Sequence, residues 1–322
     1  MQNSSKCLII VGMHRSGTSF TASLLQKAGL NIGENLLRAS LGNELGHFEN
    51  EDFLVFHKKN LAHHNLNPDG WSLNTVQSLD GTQKEELTSI IKKNESSQWG
   101  WKDPRTTLFL NVYKELLPNA FFLFVYRKPW EVVDSLFRRS TDDDFYTQPT
   151  SAPDNWHFYN QLILDFFKQN ADRSILVDIE NVMQQSNTVI ELLNTKFGFN
   201  FHASPDSTFD SAKFNNNRNK NRRQQFFYEN AFPDSIQLYK TLQENSDMPP
   251  LEDYISSNEN INCLIDWWRD AAEIQETRNE LNSKGIPFTK LPSTLTENEL
   301  LKAEIDWIIN SKWWKIRGWL KK

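Results

Sequence analysis

The sequence of 322 residues holds only two cysteines, Cys7 and Cys263, and they stand far apart, the first inside a short apolar run. A pair so placed suggests neither a disulfide framework nor a zinc site. Cations are also in short supply. Against 41 Asp+Glu there are 35 Lys+Arg, a net charge of -6, which speaks against a general nucleic-acid binder. No apolar stretch approaches the length of a membrane span. The polar start Met1–Lys6 leads into an apolar run too short for a signal peptide, so a soluble, cytoplasmic protein is expected. No internal repeat is visible, and the length suits one large domain with an appendage.

What is present begins at Cys7-Leu8-Ile9-Ile10-Val11, an apolar run rich in β-branched residues that ends at Gly12. A loop of small and polar residues follows, and then Phe20, Leu24, Leu25 and Ala28 recur at helical spacing up to Gly29. Strand, tight loop and helix in this order gather backbone N–H groups at a helix N-terminus, a place suited to phosphate or sulfate. The spacing Gly12-x4-Gly17 is that of a Walker A loop, but Thr18 stands where its lysine belongs, and a cation, Arg15, lies two residues before the second glycine.

Further along, Phe53, Val55, Phe56 and Leu61 read as a helix, and 63–81 as an irregular segment with turn signals throughout. A helix is expected over about 82–93, then the block Trp99-Gly100-Trp101-Lys102-Asp103-Pro104-Arg105 and a short helix to Leu117. Ala120 to Tyr126 and Ser174 to Ile179 read as buried strands, each followed by a helix. The acidic stretch 141–153 reads as a loop, 155–169 as an amphipathic helix, and Arg218 to Arg223 as part of a polar, basic loop. Strands alternating with helices imply an α/β fold, a three-layer α/β/α domain on a mostly parallel central sheet over residues 1–248. Met248-Pro249-Pro250 marks a boundary, and 249–322 is expected to be a helical C-terminal extension holding six of the eleven tryptophans.

Kinases and NTPases need the Walker lysine and magnesium because the group they transfer is multiply charged. A sulfuryl group carries less charge, so amides, hydroxyls and one nearby cation suffice without a metal. The missing lysine therefore favours a sulfate-ester donor over ATP. Against this stands Ile175-Leu176-Val177-Asp178, an apolar strand whose aspartate could hold magnesium in a small-molecule kinase.

Four blocks carry a resemblance: Gly12-Met13-His14-Arg15-Ser16-Gly17-Thr18-Ser19, Gly46-His47-Phe48-Glu49, Trp101-Lys102-Asp103-Pro104-Arg105, and Tyr126-Arg127-Lys128-Pro129 with Asp134-Ser135. In order and spacing they resemble sulfotransferases that use 3′-phosphoadenosine 5′-phosphosulfate (PAPS), of the bacterial carbohydrate or polysaccharide type and P-loop fold. The similarity covers about residues 6 to 245.

The resemblance implies that Arg15, Ser16, Gly17, Thr18 and Ser19 surround the donor's phosphate and sulfate, and that Arg127 and Ser135 hold its 3′-phosphate. Arg222 and Arg223 are candidates for a basic loop over that phosphate, although the family's glycine-rich form is absent; Arg138 and Arg139 read as a solvated or acceptor-facing edge. Transfer to an alcohol needs a base and cations. Glu49 is the chosen base, with Glu34, His47 and His57 as alternatives. Another branch of the family uses a histidine shortly after its third strand, where this chain reads Lys102-Asp103-Pro104-Arg105. Lys102 and Arg105 would face the acceptor or the sulfuryl oxygens, and Asp103 would orient a neighbouring cation.

The implied reaction moves a sulfuryl group to a hydroxyl on a carbohydrate or surface polysaccharide, with no resident metal and no nucleic-acid partner. His57, His63 and His64 lack a fitting carboxylate or cysteine and read as surface residues rather than metal ligands. The aromatic, basic segment Lys312–Lys322 suits a peripheral membrane or protein contact. A non-catalytic scaffold in polysaccharide assembly, acting through that tail, is the third reading.

Overall fold

The apolar run at the start of the chain becomes β1 (Lys6–Val11), which lies inside the sheet, with Leu8 to Val11 wholly buried. A computed structural model describes residues 5–37, 47–138, 150–203, 218–252 and 254–256. β1 runs into α1 (Thr18–Lys27), and α2 (Glu51–His63) and α3 (Gly81–Asn94) follow. β2 (Gln98–Lys102), a 3-10 turn (Pro104–Phe109), α4 (Leu110–Leu116), β3 (Phe121–Tyr126) and α5 (Pro129–Arg138) come next. Beyond them lie α6 (Ser151–Gln169), β4 (Ser174–Asp178), α7 (Ile179–Gln184), α8 (Ser186–Phe197), α9 (Arg218–Ala231) and α10 (Pro233–Asn245).

The described strands form one four-stranded sheet in the order β2-β1-β3-β4, every pairing parallel. β1 sets Ile10 opposite Lys102 on one side and Val11 opposite Phe124 on the other, and β3 sets Tyr126 opposite Asp178. The chain leaves β1 toward one neighbour and later returns to the other. In open parallel sheets the ligand crevice lies outside the strands' C-terminal ends at such a reversal. Val11, Lys102, Tyr126 and Asp178 all end their strands at that edge.

Alternate residues face opposite layers, as strand geometry requires. Ile9, Val11, Phe122, Phe124 and Tyr126 join Phe53, Trp101, Trp156 and Tyr159 on one face. Leu8, Ile10, Leu123 and Val125 join Leu24, Leu25, Val189 and Leu193 on the other. One face is largely aromatic and the other aliphatic, and helices cover both. The three-layer α/β/α expectation is met.

Three local expectations change. α6 begins at Ser151 rather than after Pro153, because proline is compatible with a helix's first turn, where its missing N–H costs nothing. Asp178 does not merely end β4: its carboxylate accepts from Glu180 N at 2.8 Å and starts the short α7. The backbone of Arg218 to Arg223 is the start of α9 rather than a loop.

Past α10 the chain stays attached. Asp247 N donates to Leu176 O, Met248 is buried, and Tyr254 packs near Trp130 and Tyr239. Residues 257–322, and with them the helical extension, lie outside the described residues. Among the described residues no helix is long and apolar enough to cross a membrane.

Candidate active site

The loop after β1 is shaped by two glycines. A Cβ on Gly12 would sit 2.4 Å from Val125 O, so only glycine lets the loop turn against β3. Gly17 caps α1 at φ +90, and a Cβ there would meet Ile179 Cδ1 at 2.3 Å. No side chain caps α1, whose first N–H groups have no intrahelical acceptor. The Ser16 hydroxyl is buried and has no hydrogen-bond partner among the described residues. An uncapped helix end with an unsatisfied buried donor fits an anionic group such as a phosphate or a sulfate.

Two clusters flank this loop. On the β3 side, Arg15 (φ 65) donates from Nε to Ser135 Oγ at 2.9 Å. Arg127 donates from Nη1 to the Arg15 carbonyl at 3.2 Å and is held at Nε by Glu131 at 2.8 Å. The sequence places Arg15 with the sulfuryl group, whereas its guanidinium points to the α5 element that carries Ser135. Arg15, Arg127 and Ser135 therefore form one group.

On the β2 side, Lys102 is almost completely buried, at 1% side-chain exposure. Its Nζ donates to Glu49 Oε1 at 2.8 Å and to Ser19 Oγ at 3.1 Å, and Ser19 donates in turn to His47 O at 3.0 Å. Lysine is rarely buried without such partners. Glu49, itself buried, has Arg105 Nη1 3.6 Å from its other oxygen. The base candidate, a cation and the glycine loop are thus joined directly.

Behind them, Asp103 accepts from Arg105 Nη1 at 2.9 Å and pairs with His57 Nδ1 at 2.8 Å. Burial pushes the Asp103 carboxyl up, but the charges of Arg105 and His57 outweigh it and hold the group well below the usual carboxylate range. Asp103 orients a cation, as expected. His57 is no surface residue: it is fully buried, and its second nitrogen pairs with the Tyr113 hydroxyl at 2.7 Å.

The other candidates spread out. His47 reaches the loop through its carbonyl, while Glu34 and His63 are exposed. Gly46, Arg139 and the side chains of Arg138, Arg222 and Arg223 lie outside the described residues. Gln224, next to that pair, donates to Asp134 Oδ1 at 2.6 Å, which sets the start of α9 beside the residue preceding Ser135. Asp178, the magnesium candidate of the kinase reading, is a helix cap. Burial, with Glu180 beside it, pushes its carboxyl up to about 7. Among the described residues no group of three or more His, Cys, Asp or Glu side chains is placed to hold a metal.

One pairing in the site had no signal in the sequence. His14, just ahead of Arg15, lies against Trp71 with ring centroids 4.3 Å apart and planes tilted by 45°, and Tyr159 donates to Gly70 O at 2.7 Å. The turn at 67–72 is thereby pressed against the glycine loop.

A parallel α/β sheet with a glycine loop at its reversal point, and a buried Lys–Glu pair beside that loop, define a P-loop type of α/β fold. The family model of the sulfotransferase family matches residues 8–203, well over half of the chain, and the chain belongs to that family. Solved structures resembling it include a sulfotransferase domain from the curacin biosynthetic pathway (15% identity, 63% of this chain and 76% of that one, TM-score 0.40). Another is the sulfotransferase domain of the Synechococcus PCC 7002 olefin synthase (18% identity, 76% and 96%, TM-score 0.41). A third is a sulfotransferase from Alicyclobacillus acidocaldarius (12% identity, 75% and 96%, TM-score 0.45). Scores this low carry no argument; the family assignment rests on the sequence match. No curated protein is significantly similar to the chain.

Proposed function

We propose that the chain transfers a sulfuryl group from PAPS to a hydroxyl of a carbohydrate, the acceptor belonging to a surface polysaccharide. The observation that carries the reading is the double contact of Lys102 with Ser19 of the glycine loop and with Glu49. It sets a carboxylate and a cation beside the anion-binding loop, which is what transfer to an alcohol requires.

In this reading the loop N–H groups, Ser16 and Thr18 bind the phosphosulfate, and Arg127, Ser135 and Arg15 hold the 3′-phosphate, with Arg222 and Arg223 near it. The acceptor oxygen bonds to sulfur while the bond from sulfur to the phosphate oxygen breaks. Glu49 takes the acceptor's proton, and Lys102 with the loop N–H groups steadies the negative charge on the transferring group and the departing phosphate. The family's nucleotide donor is thus assigned to one side of the loop and the acceptor to the other. A cytoplasmic location, a domain ending near 248, and a peripheral contact through Lys312–Lys322 belong to the same proposal.

Isothermal titration with adenosine 3′,5′-bisphosphate tests the donor side. One-to-one binding without magnesium is expected; no binding, or binding that requires magnesium, overturns the reading. Incubation with labelled donor and separate glycan, lipid and phenol acceptors identifies the acceptor class, and label on lipids or phenols alone would reject a carbohydrate.

A further inference from the structure

Arg105 joins more of the site than any sequence signal suggests. Its Nη1 donates to Asp103 at 2.9 Å and lies 3.6 Å from Glu49. Its Nε donates to the carbonyl of Pro68 at 3.1 Å, and Nη2 lies 3.6 Å from Asp69. One buried guanidinium thus touches the base candidate and the 67–72 turn together. Asp103, which fixes it, is anchored in the core through His57 and Tyr113.

The turn has other fixings as well. Within itself it is held by Gly70 N to Asn67 O and by Asp69 N to the Asn67 side chain. From outside it is held by Tyr159 on Gly70, His14 on Trp71 and Lys58 on Asp69 at 2.7 Å. Asp69 is half exposed and Trp71 partly buried, so this turn, unlike Glu49, presents polar and aromatic surface to an incoming molecule.

The geometry points to Arg105 as a positioning residue that locks the 67–72 turn, as the acceptor-side wall, to the carboxylate of Glu49. This rests on the reading of Glu49 as base. The planar fork matters, because it reaches Asp103 and Pro68 from different nitrogens at once, which the single ammonium of a lysine cannot reproduce. Each buried cation has a carboxylate partner: Lys102 faces Glu49, and Arg105 faces Asp103 and Glu49. A sugar hydroxyl held by the turn would then meet Glu49 at a fixed distance.

The test compares Arg105→Lys and Asp69→Asn with the parent by hydrogen exchange across 67–72, titration with adenosine 3′,5′-bisphosphate, and transfer to para-nitrophenyl β-glucoside as a generic sugar acceptor. In R105K, exchange in the turn should rise at least about tenfold, the scale of a lost charge-assisted contact. Its kcat for the glucoside should fall, while bisphosphate affinity stays within about twofold. D69N leaves the contacts to Asp103 and Glu49 in place. It should loosen the same segment and raise the acceptor KM while kcat stays within about twofold. Unchanged exchange at 67–72 in both variants, or a loss of bisphosphate binding in R105K, overturns the lock. If R105K does not fold, D69N alone decides. Should the parent neither bind bisphosphate nor transfer, the sulfotransfer reading fails, and the exchange data still decide whether Arg105 holds the turn.

Discussion

Arg15 and Ser135 stand 120 positions apart and are joined by a 2.9 Å hydrogen bond that ties the glycine loop to α5. Arg15 has the left-handed φ of 65 that most residues avoid, and Arg127 holds its carbonyl from the other side. The contact prearranges a cation beside the loop before any anion arrives.

Ser135→Ala should therefore weaken adenosine 3′,5′-bisphosphate by about tenfold, the equivalent of about 1.4 kcal/mol for one hydrogen bond to a charged group. Arg15→Ala, which also removes the charge, should weaken it further. Titration calorimetry reads both, and an S135A affinity equal to that of the parent would refute the assignment of this cluster to the donor.

Lys102 makes a second test because its burial is complete while its partner is a carboxylate. Lys102→Met should abolish transfer and cost up to about 5 kcal/mol in urea unfolding, since Glu49 is left buried with only the more distant Arg105. Adding Glu49→Gln to K102M should recover a good part of that loss. Equal stability of the single and double variants would show that the pair contributes no coupling.

How far such a site can be read in advance depends on the range of its contacts. β1, its glycine loop and α1 are legible because an apolar run, two glycines and a helical repeat are local patterns. β2 is not: Gln98-Trp99-Gly100-Trp101-Lys102 has a central glycine, required because Leu8 O lies 1.8 Å from where a Cβ would be, on a strand 92 positions earlier in the register. The blocks around Glu49, Lys102 and Arg127 are visible as motifs, but their pairing is not. Lys102 reads as facing the acceptor or the sulfuryl oxygens, and its pairing with Glu49, 53 positions away, shows only in the fold. His57 is the reverse case. It reads as a surface group or a base, and folding seals it between Asp103 and Tyr113. Trp71 gives no local sign of its place against His14.

Gly17 offers a prediction in which two physical costs separate. Gly17→Ala forces a side chain onto φ +90 and into Ile179. It should destabilise the fold by at least about 2 kcal/mol and remove bisphosphate binding. Adding Ile179→Ala relieves the clash but not the backbone strain, so the thermal midpoint of the double variant should stay below that of I179A alone. Identical midpoints would mean the backbone at 17 bears no strain.

Asp178 predicts how stability depends on pH. Burial and the neighbouring Glu180, with a smaller contribution from Glu131, raise its folded-state value from 3.8 to about 7, against the pull of the Glu180 N–H and Lys128. A carboxyl raised in this way binds more protons folded than unfolded. Its stabilising contribution is thus fully present below the ordinary aspartate value and is lost as pH rises through the folded value. Between 3.8 and about 7 the parent should lose stability at up to about 1.4 kcal/mol per pH unit from this group. Asp178→Asn keeps an oxygen to accept from Glu180 N and has nothing to titrate. Urea unfolding across that window should give a flatter profile for D178N, with its advantage over the parent growing toward pH 8. Parallel profiles would place the ionised carboxylate comfortably in the fold, and with it a capping role in which charge, rather than burial, dominates.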